Sequence, residues 1–357
     1  MKKVFQNLHL FIGLTAGLVI FTVATTGCLV AFEEELRGYF QSELLEVKVI
    51  DGSRIPLSEI QLIAEKAYPE EGVKAIVLKN ERSASVQVLM KSRDVVYINP
   101  YSGEVLGSGN KRNDVFGKIL RLHRNLLLDD AGEWVTGISA LLFLFMIISG
   151  IIIWWPSSRR NRKEKFTLKL KVHPVKRNYD LHSVLGFYAS WLILFTVLTA
   201  LIFSFEWAEK SMFALTGSKK ERRMEVPSVA ENGNQLVALE TMLNVAKAKF
   251  TNSSNAIVNF PEGDKGSYRI NLRYENSGFF NRQEQLFFDQ YTGALLQEKK
   301  FSDNTFGTKL RMSNERIHTG QSFGLIGRWI VFFAALIVAS LPITGFLIWW
   351  NKRKANG

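Results

Sequence analysis

The sequence predicts a membrane protein: four transmembrane α-helices arranged as a two-fold internal repeat, with two extracytoplasmic α+β domains. Three observations predict it. The 357 residues are 47% hydrophobic, an ordinary share, but the apolar residues are concentrated in four blocks. These are Leu8–Phe32, Trp134–Trp155, Leu181–Phe205 and Trp329–Trp350, each about as long as the ~20 residues that cross a bilayer. Second, Leu122–Trp155 recurs without a gap at Ile317–Trp350. A constant offset of 195 aligns His123 with His318, Gly132 with Gly327, Trp134 with Trp329, Gly150 with Gly345, and Trp154-Trp155 with Trp349-Trp350. A shared apolar run can be chance; a histidine, two glycines and three tryptophans in register indicate an internal duplication. Third, the net charge of +12 is not spread as a nucleic-acid surface would need. Pro156–Arg177 holds nine Lys/Arg against the single acid Glu164, and Lys2, Lys3, Lys352, Arg353 and Lys354 sit at the termini. That is the pattern of cytoplasmic termini and a cytoplasmic central loop, and it assigns the chain lipid rather than nucleic acid as its surroundings.

In chain order, residues 1–32 carry the first transmembrane helix. It lacks an Ala-x-Ala exit site, so it is retained rather than cleaved. Ala24-Thr25-Thr26-Gly27-Cys28 approximates a lipoprotein cleavage site, but Thr25 stands where an aliphatic residue belongs and apolar residues follow. Cys28 is the only cysteine, which excludes an intramolecular disulfide. Residues 33–118 form the first external domain. Pro56–Tyr68 has apolar residues at helical spacing, and Val73–Leu78, Ala84–Met90 and Val95–Ile98 read as strands. Asn99-Pro100-Tyr101-Ser102-Gly103 is a turn. Gly107-Ser108-Gly109 lacks a third glycine, is placed in an external loop, and is no dinucleotide fingerprint. Residues 119–155 hold a histidine segment and the second helix, 156–180 the basic cytoplasmic loop, and 181–205 the third helix.

The first half of the repeat continues at an offset of 173, which lays His9 over His182, Gly13 over Gly186, Ala16 over Ala189 and Phe32-Glu33 over Phe205-Glu206. Residues 206–316 repeat the external plan, with a helix over Leu236–Phe250, strands near Ala256–Phe260, Ser267–Tyr274 and Gln285–Phe288, and the turn Asp289-Gln290-Tyr291-Thr292-Gly293. Lys219–Arg223 is a charged, solvated face. Residues 317–350 hold the second histidine segment and the fourth helix, and 351–357 are a cytoplasmic tail. The tryptophan pairs read as anchors at the membrane boundary.

The Tyr-Ser/Thr-Gly turn after a helix and antiparallel strands resembles the PepSY domain. The layout resembles the PepSY-associated transmembrane family, often labelled iron-regulated membrane proteins. The Leu-His near the start of helix one, Leu122-His123-Arg124 before helix two, and Ser149-Gly150 followed by Trp154-Trp155 carry the resemblance. It covers nearly the whole chain. It implies two PepSY-like domains outside a bacterial inner membrane and a haem protein, with ferric-siderophore reductases as the best-understood members.

Four of the five histidines occupy equivalent positions in the duplication, and ionisable residues in membrane helices are costly and usually functional. In the expected topology His9 and His182 lie toward the cytoplasm, His123 and His318 toward the outside. The hydrocarbon core is about 30 Å thick, and haem iron takes axial imidazoles only about 2 Å away. Ligand pairs therefore cannot join opposite faces; the permitted pairs are His9 with His182 and His123 with His318, giving two haems b. Gly13 and Ala16, Gly186 and Ala189 share their histidine's face and leave room for a macrocycle edge, although small residues also serve helix packing. Structural histidines, a non-haem metal and a proton relay remain open at this point. His123 precedes Trp134 by 11 residues, so Asp129-Asp130-Ala131-Gly132 is expected to break the helix and turn His123 inward. Arg121, Arg124, Arg316 and Arg328 are candidates for haem propionates or an anionic substrate, and flanking charge explains each equally. His173, in the basic loop, has no partner in the duplication.

The sequence has no CxxC, P-loop or Ser/His/Asp signature, so electrons must come from outside the chain, from a flavin reductase or quinol. The expected activity is reduction of a ferric siderophore or other ferric chelate. The rival expectations are a non-enzymatic envelope-binding protein and a transporter subunit.

Overall fold

The computed structural model describes residues 2–156, 165–222, 224–229, 239–275 and 277–356. Arg159, Arg160, Arg162, Lys163 and Glu164 of the basic loop, Arg223 of the charged cluster, and residues 236–238 of the expected second-domain helix lie outside the described residues. The chain divides into two compact units: Met1–Glu33, Val115–Gly217 and Ser313–Gly357 form one, and Glu34–Asp114 and Ser218–Met312 the other.

The first unit is helical. Its main elements are α1 (Lys2–Val30), α5 (Val115–Asn125), α6 (Asp129–Trp154), α7 (Pro174–Asp180), a π-helical turn (Leu181–Leu185), α8 (Gly186–Ser204), α9 (Glu206–Leu215), α11 (Phe306–Thr319, entering from the other unit) and α12 (Gly324–Asn356). Four stretches are long and apolar enough to cross a membrane: Lys2–Val30, Asp129–Trp154, Pro174–Ser204 and Gln321–Ala355. Helix α1 packs on α6 and α12, and α8 packs on both of those in turn. Small and β-branched residues make the contact: Ala16, Ile20, Ile147, Ala189, Ile193, Val197, Ala334, Ala335 and Val338 are buried together. Lipid-facing Leu18, Phe195 and Phe333 are exposed, as apolar side chains can be where the solvent is hydrocarbon. Of the tryptophan pairs, Trp155 and Trp350 are exposed as boundary anchors must be, but Trp154 is buried. It stacks on Phe187 at 3.9 Å and 14°, so it packs the interior rather than anchoring the boundary.

The second unit contains α2 (Glu33–Phe40, starting at the boundary), α3 (Ser42–Leu45), α4 (Leu57–Ala67), α10 (Leu239–Lys249) and eight strands: β1 (Val73–Lys79), β2 (Val86–Met90), β3 (Asp94–Ile98), β4 (Val105–Asn110), β5 (Asn255–Asn259), β6 (Ser267–Arg273), β7 (Gln283–Asp289) and β8 (Leu295–Lys299). The order is β4-β3-β2-β1-β5-β6-β7-β8, and every neighbouring pair is antiparallel. The two α+β regions expected at 33–118 and 206–316 are therefore halves of one sheet, joined where Ile76 pairs with Val258 and Val77 with Ile257. Side chains reinforce the seam: the Glu240 carboxylate accepts from the backbone N–H of Leu57 at the start of α4, and Asn80 donates to the Ser253 carbonyl. The spacing of Leu57, Ile60 and Ala64 buries one face of α4, and Leu239, Met242 and Ala246 do the same for α10, in a single core with the sheet.

Two expectations need correcting. Residues 115–118, 206–217 and 313–316 belong to the helical unit, because α5 runs unbroken to Asn125 and α9 packs on α8. Gly107-Ser108-Gly109 is not in a loop; it lies in edge strand β4, where Gly107, Ser108 and Gly109 pair with Tyr97, Val96 and Val95. Strand β8 follows the second turn, although only Leu295 and Leu296 mark it as apolar. The two turns are built alike: Asn99 Oδ1 accepts from Tyr101 N, Asp289 Oδ1 accepts from Tyr291 N, and Gly103 and Gly293 take the left-handed backbone that closes them.

Candidate functional site

The four equivalent histidines meet in two pairs. His9 on α1 and His182 in the π-helical turn have ring centroids 6.4 Å apart, with ring planes at 89°. His123 on α5 and His318 on α11 have centroids 6.1 Å apart at 69°. His173 stands exposed at the start of α7 and belongs to neither pair.

His123 and His318 lie outside the four spans, and the chain folds them back by two different turns. After α5, Leu126 and Leu127 take positive φ (53° and 61°), Asp129 takes 46°, and α6 begins at once. The break is thus at Asn125–Leu128, before the expected Asp129–Gly132. Gly132 lies inside α6 and has another use: a Cβ there would sit 1.7 Å from the Asn125 carbonyl oxygen. After α11, Gly320 and Gly324 take φ of 82° and 65°, and a Cβ on Gly327 would sit 2.2 Å from the Gly320 carbonyl oxygen. The paired glycines at 132 and 327 therefore let each membrane helix start against the end of the histidine helix before it.

Each ring is oriented through Nδ1. His9 Nδ1 lies 2.9 Å from Ser149 Oγ, and His182 Nδ1 lies 2.9 Å from Thr344 Oγ1. His123 Nδ1 is 2.9 Å from the Val23 carbonyl oxygen and 3.3 Å from Thr26 Oγ1. His318 Nδ1 is 3.0 Å from both the Thr196 carbonyl oxygen and Thr199 Oγ1. A carbonyl can only accept, so Nδ1 carries the proton in His123 and His318. The hydroxyl protons are used elsewhere: Ser149 donates to Met146 O, Thr344 to Ser340 O, Thr26 to Thr22 O and Thr199 to Phe195 O. Their oxygens can therefore accept from Nδ1–H as well. His123 and His318 are thus held in the tautomer that leaves a lone pair on Nε2, the arrangement by which an outer hydrogen bond prepares histidine for a metal, and Ser149 and Thr344 are placed to hold His9 and His182 in the same way. Loss of hydration pushes His318 down to about 4, the neighbouring His123 adding to the effect, and lowers His123 from its ordinary value. Both are neutral bases at neutral pH.

The separation tests what these pairs can hold. An imidazole nitrogen sits about 2 Å from a metal, and about 1.1 Å from the centre of a ring with ~1.33 Å bonds. Two imidazoles on opposite sides of one metal then have centroids about 6.2 Å apart, against 6.4 and 6.1 Å here. Each of the four histidines is partly buried. Among the described residues no group of three or more His, Cys, Asp or Glu side chains converges. A pair of imidazoles and nothing more suits a metal whose other ligands arrive with it, as a porphyrin's do.

The four arginines are less uniform. Arg121 Nη2 is 3.2 Å from Asp129 Oδ1, while its Nε is buried and without a hydrogen bond among the described residues. Arg316 occupies the equivalent position before His318. Arg328 lies over the Phe32 ring at 5.8 Å, and Arg124 is exposed. Arg121, Arg124 and Arg316 stand within one turn of a paired histidine.

Sequence reasoning finds the histidines but passes over Thr199 and Thr344, and names Thr26 and Ser149 only within motifs. Hydroxyl residues in membrane helices ordinarily bond back to their own helix, which hides them. A signal was present: Thr26 and Thr199 obey the offset of 173, and Ser149 and Thr344 the offset of 195. Among comparisons with known proteins, the family model described as the PepSY-associated TM region matches residues 6–352. No curated protein matches the chain.

Proposed function

Because the chain belongs to the PepSY-associated TM family, we propose that it is a di-haem electron-transfer protein of the bacterial inner membrane that reduces a ferric chelate on the external side. The carrying observation is the pair of crossed imidazole couples at 6.4 and 6.1 Å. The constant offsets, which match the outer hydrogen bonds as well as the histidines, support a two-fold repeat.

His9 and His182 would hold one haem b, and His123 and His318 the other. When bound, haem supplies reversible one-electron chemistry at iron. The chain's own residues do the rest. The hydroxyls and carbonyls at Nδ1 keep Nε2 basic and aimed. The apolar core of Ala16, Ile20, Ala189 and Ile193 excludes water between the two ends. Basic residues at both termini and in the 156–180 loop keep the His9 end in the cytoplasm, where a flavin reductase or a quinol delivers electrons. At the other end Arg121, Arg124, Arg316 and Arg328 offer positive charge to propionates or to an anionic siderophore. Reduction there weakens chelation, since Fe²⁺ holds hard oxygen ligands less tightly than Fe³⁺, and the iron is released outside the membrane.

The test is a spectrum followed by a transfer assay. Purified protein, oxidised and then dithionite-reduced, should show low-spin haem b at about two per chain. In proteoliposomes an enclosed reductant should reduce an external ferric chelate, and His9→Ala should stop the transfer while a pre-reduced His123-pair haem still discharges to the chelate. A reduced protein that no ferric chelate reoxidises faster than buffer does would leave an electron carrier and remove iron reduction from the reading.

A further inference from the structure

Three of the four paired histidines rest on the same two-residue feature of a neighbouring membrane helix. Ser149-Gly150 meets His9, Thr344-Gly345 meets His182, and Thr26-Gly27 meets His123. In each the hydroxyl lies 2.9, 2.9 or 3.3 Å from Nδ1. The next residue is a glycine, and a Cβ placed there would come within 3.4, 3.1 or 3.1 Å of the ring's Cε1. His318 meets Thr199, at 3.0 Å from Nδ1, and the residue after Thr199 is Ala200. The fourth copy therefore carries a methyl group where the other three carry hydrogen.

Two contacts on one ring do what one cannot. The last torsion of a histidine side chain is broad and roughly two-fold, so a single hydrogen bond leaves the ring free to rock about it. Contact at Cε1 against a helix backbone supplies the second fixed point. The helix rise then sets both contacts together, because consecutive residues point about 100° apart around the axis.

We propose that these Ser/Thr-Gly dipeptides are positioning residues that fix the rotation of the axial imidazoles, and that Ser149-Gly150 and Thr344-Gly345 lock His9 and His182 crosswise. The inference rests on the haem reading of the preceding section and goes beyond it, to the angle between ligands. That angle has an electronic consequence. Parallel imidazole planes split the two iron d orbitals that share π density with them and give a rhombic three-feature ferric EPR signal. Perpendicular planes leave those orbitals nearly equal in energy and give a strongly anisotropic signal dominated by one low-field feature. At 89° the His9 pair belongs to the second kind. At 69°, with the Thr199-Ala200 seat in one ligand, the His123 pair should fall between the two.

The experiment is EPR of ferric protein in detergent, with His123→Ala used to isolate the His9-pair signal. The expected result is a single low-field feature in that variant, shifted toward the rhombic pattern by Gly150→Ala or Gly345→Ala with haem content retained. Ser149→Ala should broaden the feature and Ser149→Thr should restore it, which gives a decision even if the glycine variants do not fold. In the complementary isolate, His9→Ala, Ala200→Gly should shift the remaining signal while Tyr291→Phe, in the turn of the other unit, should not. A rhombic signal from the unmodified His9 pair, or a feature indifferent to residues 149, 150 and 345, would overturn the proposal while leaving the haems in place. A protein that binds no haem would overturn both readings.

Discussion

The two histidine pairs have almost the same separation but are built differently. His9 and His182 belong to membrane-spanning stretches, and each meets a side-chain hydroxyl, Ser149 or Thr344, His182 with a backbone bond at Leu341 besides. His123 and His318 stand on helices outside the spans, and each donates into a membrane helix, to the backbone carbonyl of Val23 or Thr196 as well as to a threonine. A hydroxyl can be removed by one substitution; a carbonyl cannot. His9 is therefore the ring most exposed to change at its outer hydrogen bond, while His182, His123 and His318 are held by backbone as well.

The largest expected effect would break the comparison itself. His9→Ala or His182→Ala should each abolish one and the same haem, and His123→Ala or His318→Ala the other, while His173→Ala changes neither; pyridine haemochrome content of the purified variants measures this. Full haem in all four variants would dissolve both pairs. Next in size is an all-or-none result on which face each pair occupies. Reporter fusions at Ser158 and Gly263 should lie in opposite compartments, and a match would end the assignment of the pairs to two faces.

The hydroxyls then sharpen the difference. Ser149→Ala should weaken retention of the His9-pair haem by about 10–100-fold, the usual cost of losing a metal ligand's outer partner. Thr26→Ala and Thr199→Ala should cost far less, because Val23 O and Thr196 O still hold the rings; haem transfer to apomyoglobin reads both. Equal losses in the two sets would mean that the carbonyls contribute little. The smallest effect is expected at the rim. Arg121→Gln should raise the KM for an anionic ferric chelate by about two- to fivefold, an effect that salt erases, since a partly exposed charge contributes little more than that.

Much of this architecture can be read without coordinates. Leu8–Phe32 and its three counterparts declare themselves by unbroken apolar length, and the pairing of histidines follows from which ends of the spans they occupy. What the sequence hides is whatever depends on two distant segments meeting. Thr26-Gly27 stands beside Cys28 in a pattern that imitates a lipoprotein signal, and only the return of α5 shows that it faces His123. The return itself was legible as a need, but its place was not: Leu126 and Leu127 take positive φ, which nothing in their side chains favours. The joining of the two α+β halves was equally silent, because strands β1 and β5 carry ordinary alternating patterns and nothing in either names its neighbour.

That seam has a consequence for how the protein is made. Strand β1 ends at Lys79 and its partner β5 begins at Asn255. Synthesis at about 5–20 residues per second leaves roughly 10–35 s between them. Throughout that interval the first half-sheet presents β1 as an open edge, with unpaired amides and carbonyls able to template any extended chain nearby. The edge closes only after the second and third spans, Asp129–Trp154 and Pro174–Ser204, have been made. Closure of that seam thus reports that the second and third spans have been made, with the fourth, Gln321–Ala355, still to come. A chain stalled after the second span should be marked for holdases and proteases by that one unmatched strand.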